Sequence, residues 1–277
     1  MPIVTIQTAR EGPAAEMPAA PPHTASDEAA EAIMNSHVRR NRPTPAFLAM
    51  FAFACVAAPA QDAVREEALQ APGGLPVKVR MEGPYTADVA LQIVCYFRHK
   101  PAGDVTKGAA VELDRHLGGV VAALRDRGEF AGEALETILI VPPKDAIKAR
   151  SLLLIGLGDE GSLSLERMEQ VGKVALREAV RLRADRVAFA PLIRDQGDSR
   201  IATGAVAQAV ARGAFLAYDT EKRLQAQGLA APWTLEGWEV EAGPAYFDET
   251  VVGLRKAVEE AGSAIAARGD KPYRQGR

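Results

Sequence analysis

The stretch Ser151-Leu-Leu-Leu-Ile-Gly-Leu-Gly-Asp-Glu-Gly161 constrains this chain more than any other. Apolar Leu152 to Ile155 run into glycines, and an amphipathic segment opens at Leu163. That order predicts a buried strand, a tight turn and a helix. Read literally, Gly156-x-Gly158-x-x-Gly161 also has the dinucleotide-binding spacing. In such a turn the third glycine lies within the helix, whose N-terminus faces a pyrophosphate. Here Gly161 precedes the expected N-cap, Ser162 or Ser164, and the acidic Asp159 and Glu160 would repel a diphosphate unless a metal intervened. A structural turn is the expected role, with a nucleotide site as the alternative.

The same alternation continues on both sides. Val77–Met81 alternates apolar and charged residues as a half-buried strand does, and Val89–Phe97 is apolar enough for a central strand. Glu112–Arg127 has helical spacing, Thr137–Val141 is a strand stopped by Pro142-Pro143, and Val187–Ala190 is a short strand ended by Pro191. After the glycines, Leu165, Met168, Val171, Ala175, Ala179 and Leu182 form one helical stripe. Ile201–Tyr218 reads as a helix whose Gly204 and Gly213 suggest close packing on a sheet, with Glu221-Lys222-Arg223 at its frayed end. Thr234–Glu241 is a further strand, and Val251–Ala267 closes the chain as a helix. The class is α/β, a three-layer arrangement with helices on both faces of a mostly parallel sheet. Val77–Met81 and Val89–Phe97 are joined too tightly for a helical crossover, so a mixed sheet is expected.

The first part of the chain is different. Residues 1–33 are rich in Ala, Pro and Glu and are expected to be disordered. At Met34 the pattern changes: Arg39, Arg40 and Arg42 precede a thirteen-residue apolar run, Ala46 to Ala58, and then Ala58-Pro59-Ala60. That is the layout of a secretory signal peptide over residues 34–60, with Gln61 as the mature N-terminus and Met34 as the expected start. Thirteen residues are too few to cross a bilayer, which takes about 20. No stable membrane span is expected. Cys55 lies inside the run without a lipoprotein context, so lipidation is not expected. Export leaves Cys95 alone, in an apolar segment, as a small core residue. Residues 61–76 read as a polar linker, 77–268 as the folded domain and 269–277 as a tail.

Little in the chain carries chemistry. There are four histidines and two cysteines, a formal charge of −3, and no basic excess to bind nucleic acid. No G-x-S-x-G elbow, H-E-x-x-H pair, Walker loop or zinc spacing occurs. His99 and His116 read as surface or satisfied histidines. Asp195, Asp198 and Arg200 surround Gly197 after a strand end, where a solvated, helix-capping turn is the expected role. The weak ligand candidates are Gly156, Gly158, Asp159, Gly161 and Asp195; if carboxylates assemble a site, Asp159, Glu160, Asp195 and Asp198 are its expected members. No catalytic residue, metal ligand or cofactor is assigned.

Leu153-Leu-Ile-Gly-Leu-Gly158, the earlier Glu112-Leu-Asp and Gly128-Glu-Phe-Ala-Gly132 segments and the helix Ala211-Arg-Gly-Ala-Phe-Leu-Ala-Tyr218 together resemble the leucyl (cytosol) aminopeptidase family, specifically its N-terminal, non-catalytic domain. The resemblance spans about Ala87 to Arg268. It implies a macro-domain-like fold, joined in the family by a helix, here resembled by Val251–Ala267, to a peptidase half with two metal ions. The Asn-Thr-Asp-Ala-Glu-Gly-Arg signature of that half does not occur. With the expected signal peptide, the resemblance implies an exported, stand-alone relative without peptidase activity, a binding or assembly module whose partner is a second copy or a separate peptidase. The alternative is a macro-like binder of ADP-ribose or a nucleotide at the Gly156 loop and Pro191–Arg200.

Overall fold

The computed structural model describes residues 64–104 and 106–273. The expected disordered segment 1–33, the signal peptide 34–60 and the end of the tail lie outside the described residues.

The strands are β1 (Glu66–Ala71), β2 (Leu75–Arg80), β3 (Leu91–Phe97), β4 (Thr137–Ile140), β5 (Ser151–Gly158), β6 (Arg186–Ala190) and β7 (Gly237–Glu241). The helices are α1 (Gly108–His116), α2 (Val120–Asp126), α3 (Leu165–Arg181), α4 (Thr203–Ala226) and α5 (Phe247–Ala266). The strands form one sheet in the order β1-β2-β7-β6-β3-β5-β4. The five central strands, β2 to β5 in that order, run parallel, and the edge strands β1 and β4 run antiparallel to their neighbours. The architecture is the mixed, mostly parallel α/β sheet that the pattern predicts.

The sheet is mixed for a different reason from the one expected. β2 and β3 are parallel, separated by β7 and β6, and the short segment 81–90 returns across a sheet face without a helix. Ala87 and Val89 of that segment bury against Ala188, so the crossing is itself part of the core. The antiparallel pairs come instead from β1 and β4. β1 lies in the supposed linker 61–76: Gly73 and Gly74, both with φ +77°, reverse the chain so that Glu66–Ala71 pairs with β2. Its polar side chains alternate with the inward ones, which is why it read as linker.

The strands β3, β5 and β6 are buried on both faces, whereas β2 and β7 alternate buried with partly exposed residues. Ile93, Cys95, Leu153, Ile155, Val187 and Phe189 pack with α3, α4 and α5. Val94, Tyr96, Leu152 and Leu154 face the smaller α1–α2 layer with Phe130. Removing each of the four residues Leu152–Ile155 from water contributes about 1.5–3 kcal/mol.

Three helices differ from the sequence pattern. Glu112–Arg127 is two helices, broken at Gly118 and Gly119, both with positive φ. Asp114 turns its carboxylate to cap α2, accepting from Val121 N at 2.7 Å. α4 continues to Ala226, so Glu221-Lys222-Arg223 lies within it; Arg223 pairs with Asp219 one turn back at 2.9 Å. Gly204 and Gly213 pack on helices, not on the sheet: Gly213 abuts the Glu169 carbonyl of α3, and Gly204 meets Gly253 and Glu249 of α5.

Candidate functional site

Gly156 and Gly158 belong to strand β5, and the turn begins only after them, with Gly161 inside it. β5 runs through Gly158, and the chain leaves the sheet at Asp159. Gly156 exchanges backbone hydrogen bonds with segment 133–136: its N–H donates to Glu136 O and its carbonyl accepts from Leu135 N, both at 2.8 Å. A Cβ there would collide with the Glu133 carbonyl. Gly158 has φ +76° and packs on Ala134. Its N–H donates to Gly132 O, and its carbonyl accepts from Arg98 N. These glycines admit the close approach of the backbone of segment 132–134. Nothing lies within 4 Å of a Cβ built on Gly161. The α3 N-cap is Ser164, whose Oγ accepts from Arg167 N at 3.2 Å.

The four carboxylates nominated by the sequence do not converge. Asp159 pairs with Arg98 at 2.7 Å, and Glu160 with Lys100 at 2.7 Å. Asp195 accepts the Ala109 backbone N–H at 2.7 Å and so caps α1 across the loops. Burial raises the Asp195 pKa and prevails over the lowering by the Ala109 and Ala110 amides. Asp198 is buried and holds Arg200 at 2.6 Å, which keeps its carboxyl below the usual range. Arg200 also donates to the carbonyls of Glu160 and Gly161, tying the loop after β6 to the loop after β5.

The loop after β6 is shaped from within. Arg194 donates to Thr203 Oγ1, Asp198 O and Ile201 O, at 3.1, 3.1 and 2.9 Å. Buried Gln196 extends the end of β3, its Oε1 accepting from Phe97 N at 2.8 Å and its Nε2 donating to Cys95 O at 3.0 Å. Leu192 takes φ +51°, a left-handed conformation that costs a leucine about 1–3 kcal/mol and is held by the packing around it.

The loop so fixed forms one wall of a cavity of about 980 Å³ at the C-terminal ends of β2, β6 and β7. Ligands collect at strand C-termini in open α/β sheets. Leu192, Ile201, Pro244 and Tyr246 give it apolar walls, with Lys107 and Asp195 on the α1 side and Glu82 and Glu241 on the strand side. Of the sequence candidates only Asp195 lines it together with Asp198; Gly156, Gly158, Asp159, Gly161 and Glu160 do not. Glu82 and Glu241 escaped sequence reasoning. Glu239 and Glu241 alternate with Trp238 and Val240, a pattern that reads as a solvated strand face, yet Glu241 is buried and bonded to Gln92.

His99 lies near Asp104 at 3.1 Å and Asp126 at 3.6 Å. Burial raises Asp104, but hydrogen bonds from Arg125 and His99 outweigh it and leave the carboxyl below its ordinary range. His116 stacks on Tyr85 with centroids 4.8 Å apart. Cys95 is buried, and burial pushes its thiol up, away from the reactive thiolate. Among the described residues no group of three or more His, Cys, Asp or Glu is placed to hold a metal ion. No helix among them is long and apolar enough to cross a membrane.

Residues 93–227 match the model of the cytosol aminopeptidase family, N-terminal domain. A probable cytosol aminopeptidase of Roseiflexus castenholzii is 38% identical over 80 residues, 28% of this chain and 16% of that protein. A variant of tomato leucine aminopeptidase superposes with TM-score 0.53 at 17% identity, covering 74% of this chain and 38% of the other. A variant of the Oceanobacillus iheyensis macrodomain gives TM-score 0.48 at 10% identity, over 73% of this chain and 98% of that one. The chain spans 30% or less of the length of the four probable cytosol aminopeptidases it matches.

Proposed function

Since residues 93–227 carry the N-terminal domain of the cytosol aminopeptidase family, we propose that this domain is a non-catalytic binding or assembly module. The observation that carries the reading is the dispersal of its carboxylates. Two-metal hydrolysis takes a cluster of free carboxylates to generate hydroxide and polarise the carbonyl. Here Asp159, Glu160, Asp195 and Asp198 are each engaged by a different cation or amide. The partner is a second copy of the chain or a separate peptidase. Size-exclusion with light scattering on the full chain, alone and with an aminopeptidase, tests this. A monomer that never co-elutes with peptidase counts against assembly.

The second reading is a small-molecule binder, favoured by the cavity at the ends of β2, β6 and β7. It places the ligand beside the loop after β6, not at the Gly156 loop, whose Gly156 packs against the Glu133 backbone. We further propose export, supported by Arg39, Arg40 and Arg42, the apolar run Ala46 to Ala58 and Ala58-Pro59-Ala60.

A further inference from the structure

The two edges of the sheet are finished differently. At one edge β1 carries Glu66 and Glu67, which pair with Lys78 of β2 and Arg255 of α5. Charge on an edge strand discourages further pairing. β4, at the other edge, has none: Thr137-Ile-Leu-Ile-Val-Pro-Pro143 is uncharged throughout. Leu139 is 38% and Val141 77% exposed. Among the described residues, none bonds to the backbone of β4 from its open side.

The register decides which backbone groups face that side. Glu136 O accepts from Gly156 N, Ile138 lies opposite Leu154 and Ile140 opposite Leu152. The even-numbered residues therefore turn their N–H and C=O groups toward β5, and Thr137, Leu139 and Val141 turn theirs to the open edge. The side chains alternate as well: Ile138 and Ile140 pack into the α1–α2 layer, while Thr137, Leu139 and Val141 share the exposed face.

We propose that β4 pairs with β4 of a second copy of this chain, antiparallel about a two-fold axis through Leu139. In that register Thr137 meets Val141 of the copy and Leu139 meets Leu139, and each pair exchanges both backbone hydrogen bonds. The exposed Leu139 and Val141 gain apolar cross-strand neighbours. Pro143 is the next residue of that parity; it has no N–H, which ends the ladder at Val141. The flanking charges favour the antiparallel sense. Glu133 and Glu136 precede the strand, and Lys144, Asp145 and Lys148 follow it. An antiparallel pair brings the acidic flank of each copy to the more basic flank of the other, whereas a parallel pair sets like against like. The inference rests on the assembly reading above and names its surface and its partner.

The test is light scattering over a dilution series of the full chain, with amide exchange read along β4. A concentration-dependent dimer is expected. Its Thr137, Leu139 and Val141 amides exchange at least about tenfold more slowly than in the dilute monomer, while Ile138 and Ile140 are protected in both. Leu139→Lys and Leu139→Glu each set like charges together at the axis, and each is expected to abolish the dimer. Mixing the two variants is expected to restore a mixed dimer, which variants that merely failed to fold could not form. A dimer that persists in folded Leu139→Lys, or that leaves the three amides unprotected, overturns the β4 pairing and leaves the assembly reading standing. So does a chain that is monomeric alone yet associates with an aminopeptidase. Protection of the three amides in the monomer shows that the chain covers its own edge and also overturns the proposal. A chain that is monomeric at every concentration and takes no peptidase partner overturns both.

Discussion

The Asp195 carboxylate accepts the backbone N–H of Ala109 at 2.7 Å, so a loop residue closes the first turn of a helix 86 positions earlier in the chain. α1 has no cap of its own: its N-cap is Lys107, and Gly108 at φ +56° leaves no room for a Cβ beside Asp195. Asp195→Ala is expected to cost about 1 kcal/mol in urea unfolding. It should also raise amide exchange in the first turn of α1. Unchanged exchange there would remove the capping role.

Gly156→Ala puts a methyl group against the Glu133 carbonyl. Overpacking against backbone is expected to cost about 1–3 kcal/mol. The Gly156 backbone itself is not left-handed, so the cost comes from the close approach. Because Gly156 lies outside the cavity, affinity for a cavity ligand is expected to stay within about twofold. A midpoint equal to that of the unaltered chain would contradict the packing account.

The pH dependence of stability has a definite sign at Glu241. Its folded pKa is raised, first by burial, above the unfolded value near 4.3. Between those two values the folded chain holds a proton that the unfolded chain has released, so this group's contribution to stability declines as pH rises. Glu241→Gln abolishes that decline. The stability difference, variant minus unaltered chain, is expected to grow between pH 5 and pH 8 by up to about 1.4 kcal/mol per pH unit. A difference that stays flat or shrinks shows that Glu241 is not held protonated.

Export is checked by N-terminal sequencing of the protein from its native host. Gln61 is the expected first residue; an intact chain beginning at Met1 in the cytoplasm would end the export proposal.

The strands and helices from Thr137 onward were legible because each is a local pattern: apolar β5, the stripe of α3, the proline that ends β6. Where patterns were local but the break was conformational, the reading ran on, as at Gly118 and Gly119 between α1 and α2. β1 was lost because an edge strand keeps its outward residues polar. The cavity was the least legible part. Gln92 and Glu241 are 149 positions apart and meet only because β7 and β3 flank β6. The nominated carboxylates were visible, but their partners Arg98, Lys100, Ala109 and Arg200 are set by tertiary packing, and those partners decide their role.

The most direct measurement is turnover of leucine p-nitroanilide by the purified 277-residue chain, with and without Mn²⁺ or Zn²⁺, beside an Asp159→Ala/Asp195→Ala double variant. A non-catalytic module shows no turnover above buffer in any of these. Robust metal-dependent turnover by the unaltered chain, lost in a folded double variant, would contradict it.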